Sequence, residues 1–202
     1  MLSDFVDRKT LFKALAADRQ MTSLIDKELI ASGDAFTYLR SDWVSLYYDQ
    51  AHFVTSDDGS QTAYRAVTTS GEMLWLVFST GKTRGYHAES ACPFDAFHEA
   101  RDALDRRRAV RKNWGEIKQL GQDLRRRRIK MEVRIEDATA SPLCAMGTRH
   151  FLRRMGMPNL KRISGFGLAW LMLIEPQLGF VLHQASLREG TQLPQSSNLA
   201  RA

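Results

Sequence analysis

The chain has 202 residues, with 44% hydrophobic and 26% charged side chains, a composition typical of globular proteins rather than disordered or fibrous ones. Its two cysteines are too few for a disulfide framework, and its longest apolar runs are far shorter than the ~20 residues of a membrane-spanning helix. The opening residues are charged throughout, so we expect no secretion signal, a cytoplasmic location and no membrane partner.

The first predicted elements are helices within residues 1–33. Apolar side chains recur there at helical spacing, as at Leu11 and Leu15, and Gly33 marks an end. Residues 34–80 are instead rich in aromatic and β-branched side chains, separated by clusters of turn formers. This pattern predicts a mainly β region built as a meander of antiparallel strands.

Helical periodicity returns after the polar loop that ends at Pro93. Apolar residues spaced by three, four and seven predict two helices, over residues 94–112 and 114–127. Asn113 and Glu116 stand three residues apart at the start of the second helix, a spacing that resembles a capping box.

One strand and further helices are predicted for the rest of the chain. Residues 129–136 alternate apolar and charged side chains, which predicts a strand that joins the meander. A helix follows over residues 143–155, and residues 164–174 are apolar on every side, as in a central core helix. Pro176 starts a last helix, and the polar, turn-rich residues 190–202 predict a disordered tail.

Together these elements predict a single α+β domain over residues 1–189. Its expected parts are N-terminal helices, an antiparallel sheet meander, and a C-terminal helical layer that makes residues 94–189 mainly helical. No internal repeat interrupts this order.

The net charge of +6 is unevenly distributed along the chain. Residues 1–100 hold 9 Lys and Arg against 14 Asp and Glu, whereas residues 101–162 hold 18 against 7. Arginine outnumbers lysine in the basic segment, and its planar fork suits phosphate as well as carboxylate groups. The sequence therefore predicts an electrostatic binding face in the middle of the chain.

Four successive arginines, Arg125 to Arg128, raise the question of whether they form a site or only a helix end. At 100° per residue they would span about 300° around a helix axis, so they cannot share one face of a continuing helix. We expect the helix to end there, where cations gain roughly 0.3 to 1 kcal/mol from the helix dipole without any ligand. This explanation covers the run from Arg125 to Arg128, but it does not explain the arginines near Arg107 or those near Arg149.

We therefore predict a nucleic-acid-associated accessory or regulatory protein whose arginines form one surface on the phosphate backbone of DNA or RNA. The only aromatic residues inside the basic segment, Trp114 and Phe151, lie on apolar faces, which favours backbone contacts over base stacking. The predicted nucleic-acid-binding residues are Arg107, Arg108, Arg111, Arg125, Arg126, Arg127, Arg128, Arg149, Arg153 and Arg154.

Other classes of function stay open at this point. The arginines could meet an acidic protein partner, and a plain solvated surface explains them equally well. A zinc sensor is conceivable because a cysteine precedes a histidine by six residues twice, although no familiar zinc motif has that spacing. A haem sensor is conceivable because Cys92 is followed by Pro93 and has His87 nearby in the sequence. The metal candidates are Cys92, His98, Cys144 and His150. No cofactor and no catalytic residue is predicted, since the Gly-Lys-Thr stretch at 81–83 lacks the upstream glycine of a phosphate-binding loop.

Overall fold

The structure is a computed structural model that describes residues 36–190, apart from residue 42. The helices predicted for residues 1–33 lie outside this range, as does the predicted tail beyond Gly190. Within it, the chain forms a run of strands followed by helices, which confirms the α+β class with an antiparallel meander and C-terminal helices.

The chain folds as two compact units that alternate along the sequence. In the described range, the sheet unit comprises residues 36–102 and 144–158. The helical unit comprises residues 103–143 and 159–190. The single domain expected over residues 1–189 stays a prediction.

The sheet unit is built on five antiparallel strands in sequence order, each hydrogen-bonded to the next. Four of them confirm the meander predicted over residues 34–80, and a short fifth strand extends it. The strands are β1 (Phe36–Ser41), β2 (Val44–Thr55), β3 (Gln61–Thr68), β4 (Met73–Ser79) and β5 (Tyr86–Ala88).

Apolar side chains are buried on both faces of this sheet, which explains the unbroken apolar run of β4. On one face Leu46 and Leu76 pack with Met146 of helix α4 (Ala145–Arg154). On the other face Val77 packs with Phe97, which lies near the start of helix α1 (Pro93–Arg111). Alternate residues of a strand point to opposite faces, so a strand covered on both sides has no polar face to show.

The helical unit contains the second half of α1 and all later elements except α4. The two helices predicted over residues 94–112 and 114–127 are confirmed by α1 and α2. Asn113 stands at the N-cap of α2 as predicted, but its side chain makes no capping hydrogen bond, so the predicted capping box is wrong. The elements are α2 (Trp114–Arg125), β6 (Glu132–Arg134), α3 (Ile135–Ala140), β7 (Arg162–Ser164), α5 (Gly165–Leu171), a short 3₁₀ helix (Pro176–Leu178) and α6 (Gly179–Arg188).

The strand predicted over residues 129–136 is much shorter than expected and does not join the meander. Met131 and Val133 are buried and Arg134 is exposed, so the predicted alternation is present. However, β6 has three residues and pairs antiparallel with β7 in a separate two-stranded sheet. The strand stops because the Asp137 carboxylate accepts a hydrogen bond of 2.8 Å from the Arg134 backbone N–H and starts helix α3.

The apolar run predicted to be a central core helix is only partly buried. Leu168 and Leu171 of α5 are buried, whereas Trp170 is 40% exposed and Leu173, just after the helix, is 58% exposed. One side of α5 therefore meets solvent, and the expectation of burial on every side is wrong.

Candidate nucleic-acid interface

The charge imbalance of the sequence corresponds to a division between the two units. The described ranges of the helical unit hold 15 Lys and Arg against 8 Asp and Glu, whereas those of the sheet unit, without residue 42, hold 8 against 8. Three of the ten predicted binding residues, Arg149, Arg153 and Arg154, belong to the sheet unit. Arg154 donates a hydrogen bond of 3.0 Å to Ser45 Oγ on strand β2.

Two of these three arginines are matched by carboxylates of the acidic first half. Arg149 makes a two-pronged contact with Glu89, at 3.1 and 2.7 Å between nitrogen and oxygen, and lies 3.6 Å from Glu72. Arg153 also lies 3.6 Å from Glu72, which is in addition 2.9 Å from His150 Nε2 and accepts a hydrogen bond of 3.1 Å from Ser70 Oγ. The hydrogen bond to Glu89 raises the pKa of Arg149. These contacts favour a structural role for both arginines in holding α4.

The four-arginine run ends helix α2, as predicted. Arg127 adopts a left-handed backbone with φ of 55° and donates its N–H to the Leu124 carbonyl at 3.0 Å. Arg128 donates its N–H to the Asp123 carbonyl at 2.9 Å. These two bonds define a Schellman motif with Arg127 at the position that glycine usually occupies.

Several arginines of the helical unit have contacts that hold the fold together. Arg125 Nη1 donates to the Ala169 carbonyl at 2.9 Å, which satisfies a carbonyl of the last turn of α5 and links α2 to α5. Arg128 forms an ion pair of 3.2 Å with Asp123, which is itself largely buried. A third such residue is Arg107, whose Nε donates to the Pro142 carbonyl at 3.1 Å.

Two exposed cations and one neutral polar residue lie together along the outer side of α2 and its C-cap. Lys118, Gln122 and Arg126 recur every four residues, so they lie within about 80° around the helix axis, and all are exposed. The opposite side carries the buried residues Ile117 and Leu120. We call Lys118, Gln122, Arg126 and the adjoining Arg127 the basic ridge.

Within the described part of the chain, no carboxylate pairs with the cations of the basic ridge. The guanidinium of Arg127 lies over the Phe166 ring, 4.8 Å from its centroid. At the other end of α2, Arg111 is exposed on the last turn of α1, and Arg108 has only a surface ion pair of 3.1 Å with Asp105. A solvated cation on such a surface keeps its full charge for a ligand.

Reasoning from the sequence missed two members of the basic ridge, Lys118 and Gln122. Their spacing of four residues, continued by Arg126, was present inside a helix that the sequence predicted correctly. The apolar face of that helix could therefore have been used to locate the opposite, basic face.

The four metal candidates are not gathered into one group. Cys144 Sγ lies 3.4 Å from His87 Nδ1, while His150 contacts Glu72. Cys144 is the N-cap of α4 and accepts a hydrogen bond from the Gly147 N–H at 3.3 Å. Between residues 36 and 190, leaving out residue 42, no group of three or more His, Cys, Asp or Glu side chains is placed to hold a metal ion.

No protein-family model matches this chain, and neither a curated protein nor a solved structure matches it significantly. In the residues that the structure describes, every helix is too short or too polar to cross a membrane.

Proposed function

We propose that this protein associates with DNA or RNA as an accessory or regulatory protein and contacts the phosphate backbone through the basic ridge. The observation that carries the proposal is the set of exposed cations on α2 and just past its C-terminal end, Lys118, Arg126 and Arg127, that no described carboxylate neutralises. A cation whose charge no carboxylate offsets can bind a phosphate and release counterions from nucleic acid at no cost in ion pairs.

The dimensions of the ridge suit a polyanion. Lys118 and Arg126 are eight residues apart, which corresponds to about 12 Å along the axis of α2. One strand of a DNA duplex presents about three or four phosphate charges over that length. The charges of the ridge can therefore meet several phosphates of one backbone without any movement of the helix.

Arg149, Arg153 and Arg154 contribute less to the proposed interface than the sequence suggested. Their guanidinium groups are engaged with side chains of the sheet unit, and two of them face carboxylates. Withdrawing Arg149 and Arg153 would remove cation partners from Glu72, which is 29% exposed, and from Glu89, which is 38% exposed.

The proposal is tested by the salt dependence of binding, measured as fluorescence anisotropy of labelled duplex and single-stranded oligonucleotides. Three phosphate contacts, one each from Lys118, Arg126 and Arg127, predict a log–log slope of about −2.7 on duplex DNA. Absence of binding to either probe at low salt would overturn the proposal. So would a partner that is an acidic protein, recovered from native lysate equally well before and after nuclease treatment.

Arg127 offers a variant that separates binding from stability. Glycine at this position should leave the free energy of unfolding within about 1 kcal/mol, because relief of the left-handed backbone offsets the lost contact with Phe166. We expect the slope of binding against salt to fall by about 0.9. Urea denaturation and the anisotropy titration measure the two effects.

The control for that variant is Arg127→Lys, which keeps a cation on the same backbone and should keep the slope. A large loss of stability in Arg127→Gly, or an unchanged slope, would show that Arg127 serves the fold rather than a ligand.

A further inference from the structure

Two aromatic side chains of α5 lie next to the basic ridge. The Phe166 ring lies under the Arg127 guanidinium, and it meets Trp170 in an edge-on arrangement with 6.3 Å between ring centroids. In the sequence, Trp114 and Phe151 are the only aromatic residues of the basic segment, and their places on apolar faces argue against base stacking. The fold brings in a second pair from a distant part of the chain.

Phe151 is buried and Trp114 packs against a buried ring, whereas Trp170 is partly exposed to solvent. Phe151 is 5% exposed and packs edge-on against Trp43 at 4.9 Å, and Trp114 packs against Phe180 at 5.0 Å. Trp170, in contrast, is 40% exposed. Burial of an exposed indole against a ligand lowers the free energy, because its large apolar surface leaves water. The excess positive charge of the helical unit favours an anion. Together they favour a ligand that is both aromatic and anionic.

The aromatic side chains are held in place relative to the ridge by the backbone. Arg125 of α2 donates to the Ala169 carbonyl, and Ala169 immediately precedes Trp170. At the start of α5, the Gly165 N–H donates to the Met131 carbonyl at 2.7 Å. A stacking surface on such fixed elements needs little ordering when a ligand arrives.

We infer that the ligand of the basic ridge is single-stranded nucleic acid, with phosphates on Arg126 and Arg127 and an unpaired base stacked on Trp170. The inference rests on the proposed function and makes it more specific. In a duplex the base faces are already stacked on one another, so an exposed indole gains nothing from a double strand, whereas every base of a single strand offers a face.

The experiment compares Trp170→Leu with Trp170→Phe in the full chain. The probes are oligothymidine and oligouridine of about 16 nucleotides, the upper site size of one single-strand-binding fold, and a duplex of the same length. Leucine keeps an apolar side chain but cannot stack, so we expect roughly 5- to 150-fold weaker binding of both single strands and little change for the duplex. Phenylalanine should retain most of the affinity.

The matched control is Leu187→Ala, which removes another exposed apolar side chain of the helical unit, 60% exposed on α6, and should leave binding unchanged. Wild-type binding of the duplex as tight as that of the single strands, or Trp170→Leu equal to wild type, overturns this inference while the proposed function stands. Failure of every probe at low salt overturns both. Tighter binding of oligouridine than of oligothymidine supports the inference and indicates contacts with the 2′-hydroxyl.

Discussion

Replacement of Asp137 by alanine should destabilise the helical unit by about 3 kcal/mol, because it removes one side of a largely buried ion pair. The Asp137 side chain is 4% exposed and accepts two hydrogen bonds from Arg188, at 2.9 Å from Nε and 3.0 Å from Nη2. It also accepts the Arg134 N–H that starts α3. The variant leaves Arg188 Nε and the Arg134 N–H without this acceptor, so α3 loses its side-chain ties to α6 and β6. Arg188 Nη2 still donates to the Glu132 carbonyl of β6.

The expected measurement is a midpoint of thermal unfolding lower by roughly 6 to 12 °C for a chain of this size. The neighbouring Glu136→Ala is the control, since Glu136 is an exposed residue of the same helical turn with no partner among the described residues. Equal midpoints for the two variants would contradict the structural role of Asp137.

The effect of Asp137→Ala should also depend on pH. Burial alone would raise the pKa of Asp137, but the hydrogen bonds from Arg188 and from the Arg134 backbone outweigh burial and hold the pKa below its usual range. A carboxylate whose pKa is lowered by folding stabilises the fold fully above its unfolded pKa of about 3.9, and that stabilisation is lost as pH falls through the folded value. The difference between wild type and variant should therefore shrink in acid.

The fold could be predicted from the sequence where local pattern decides it. The meander, α1 and α2 follow from periodicity that adjacent packing reinforces, and each was predicted within a few residues. The strand at Met131 and Val133 has the predicted alternation. However, its partner is a strand some 30 residues away, and its end is set by a side-chain hydrogen bond. Neither is contained in a local pattern.

The candidate site could be predicted only in part, because the sequence does not distinguish an arginine that stabilises the fold from one that is exposed to solvent. The run at Arg125 to Arg128 was correctly predicted as a helix end. Its four members nevertheless differ: Arg125 donates to a carbonyl of α5, Arg126 is exposed, Arg127 lies over the Phe166 ring, and Arg128 pairs with a carboxylate. Only three-dimensional contacts distinguish them, and only the fold places Trp170 beside them.

The largest expected effect on binding comes from reversing two charges of the basic ridge. In Lys118→Glu with Arg126→Glu, two cations that attract phosphate become two anions that repel it. A hydrogen bond to a charged group contributes about 1.5 to 3 kcal/mol, so the loss of two such contacts predicts at least ~100-fold weaker binding, with a salt slope reduced by about 1.8. Both side chains are exposed, so the fold should be retained.

The matched control reverses two exposed cations of the sheet unit, Arg65→Glu with Lys82→Glu, and produces the same change in net charge. If binding depended on net charge alone, the two double variants would lose affinity equally. If the cations of α2 and its C-terminal end form a local site, we expect the control to bind within about threefold of wild type while the ridge variant does not. Equal losses in the two proteins would mean that the cations of α2 form no site, and that the positive charge acts only as a general field.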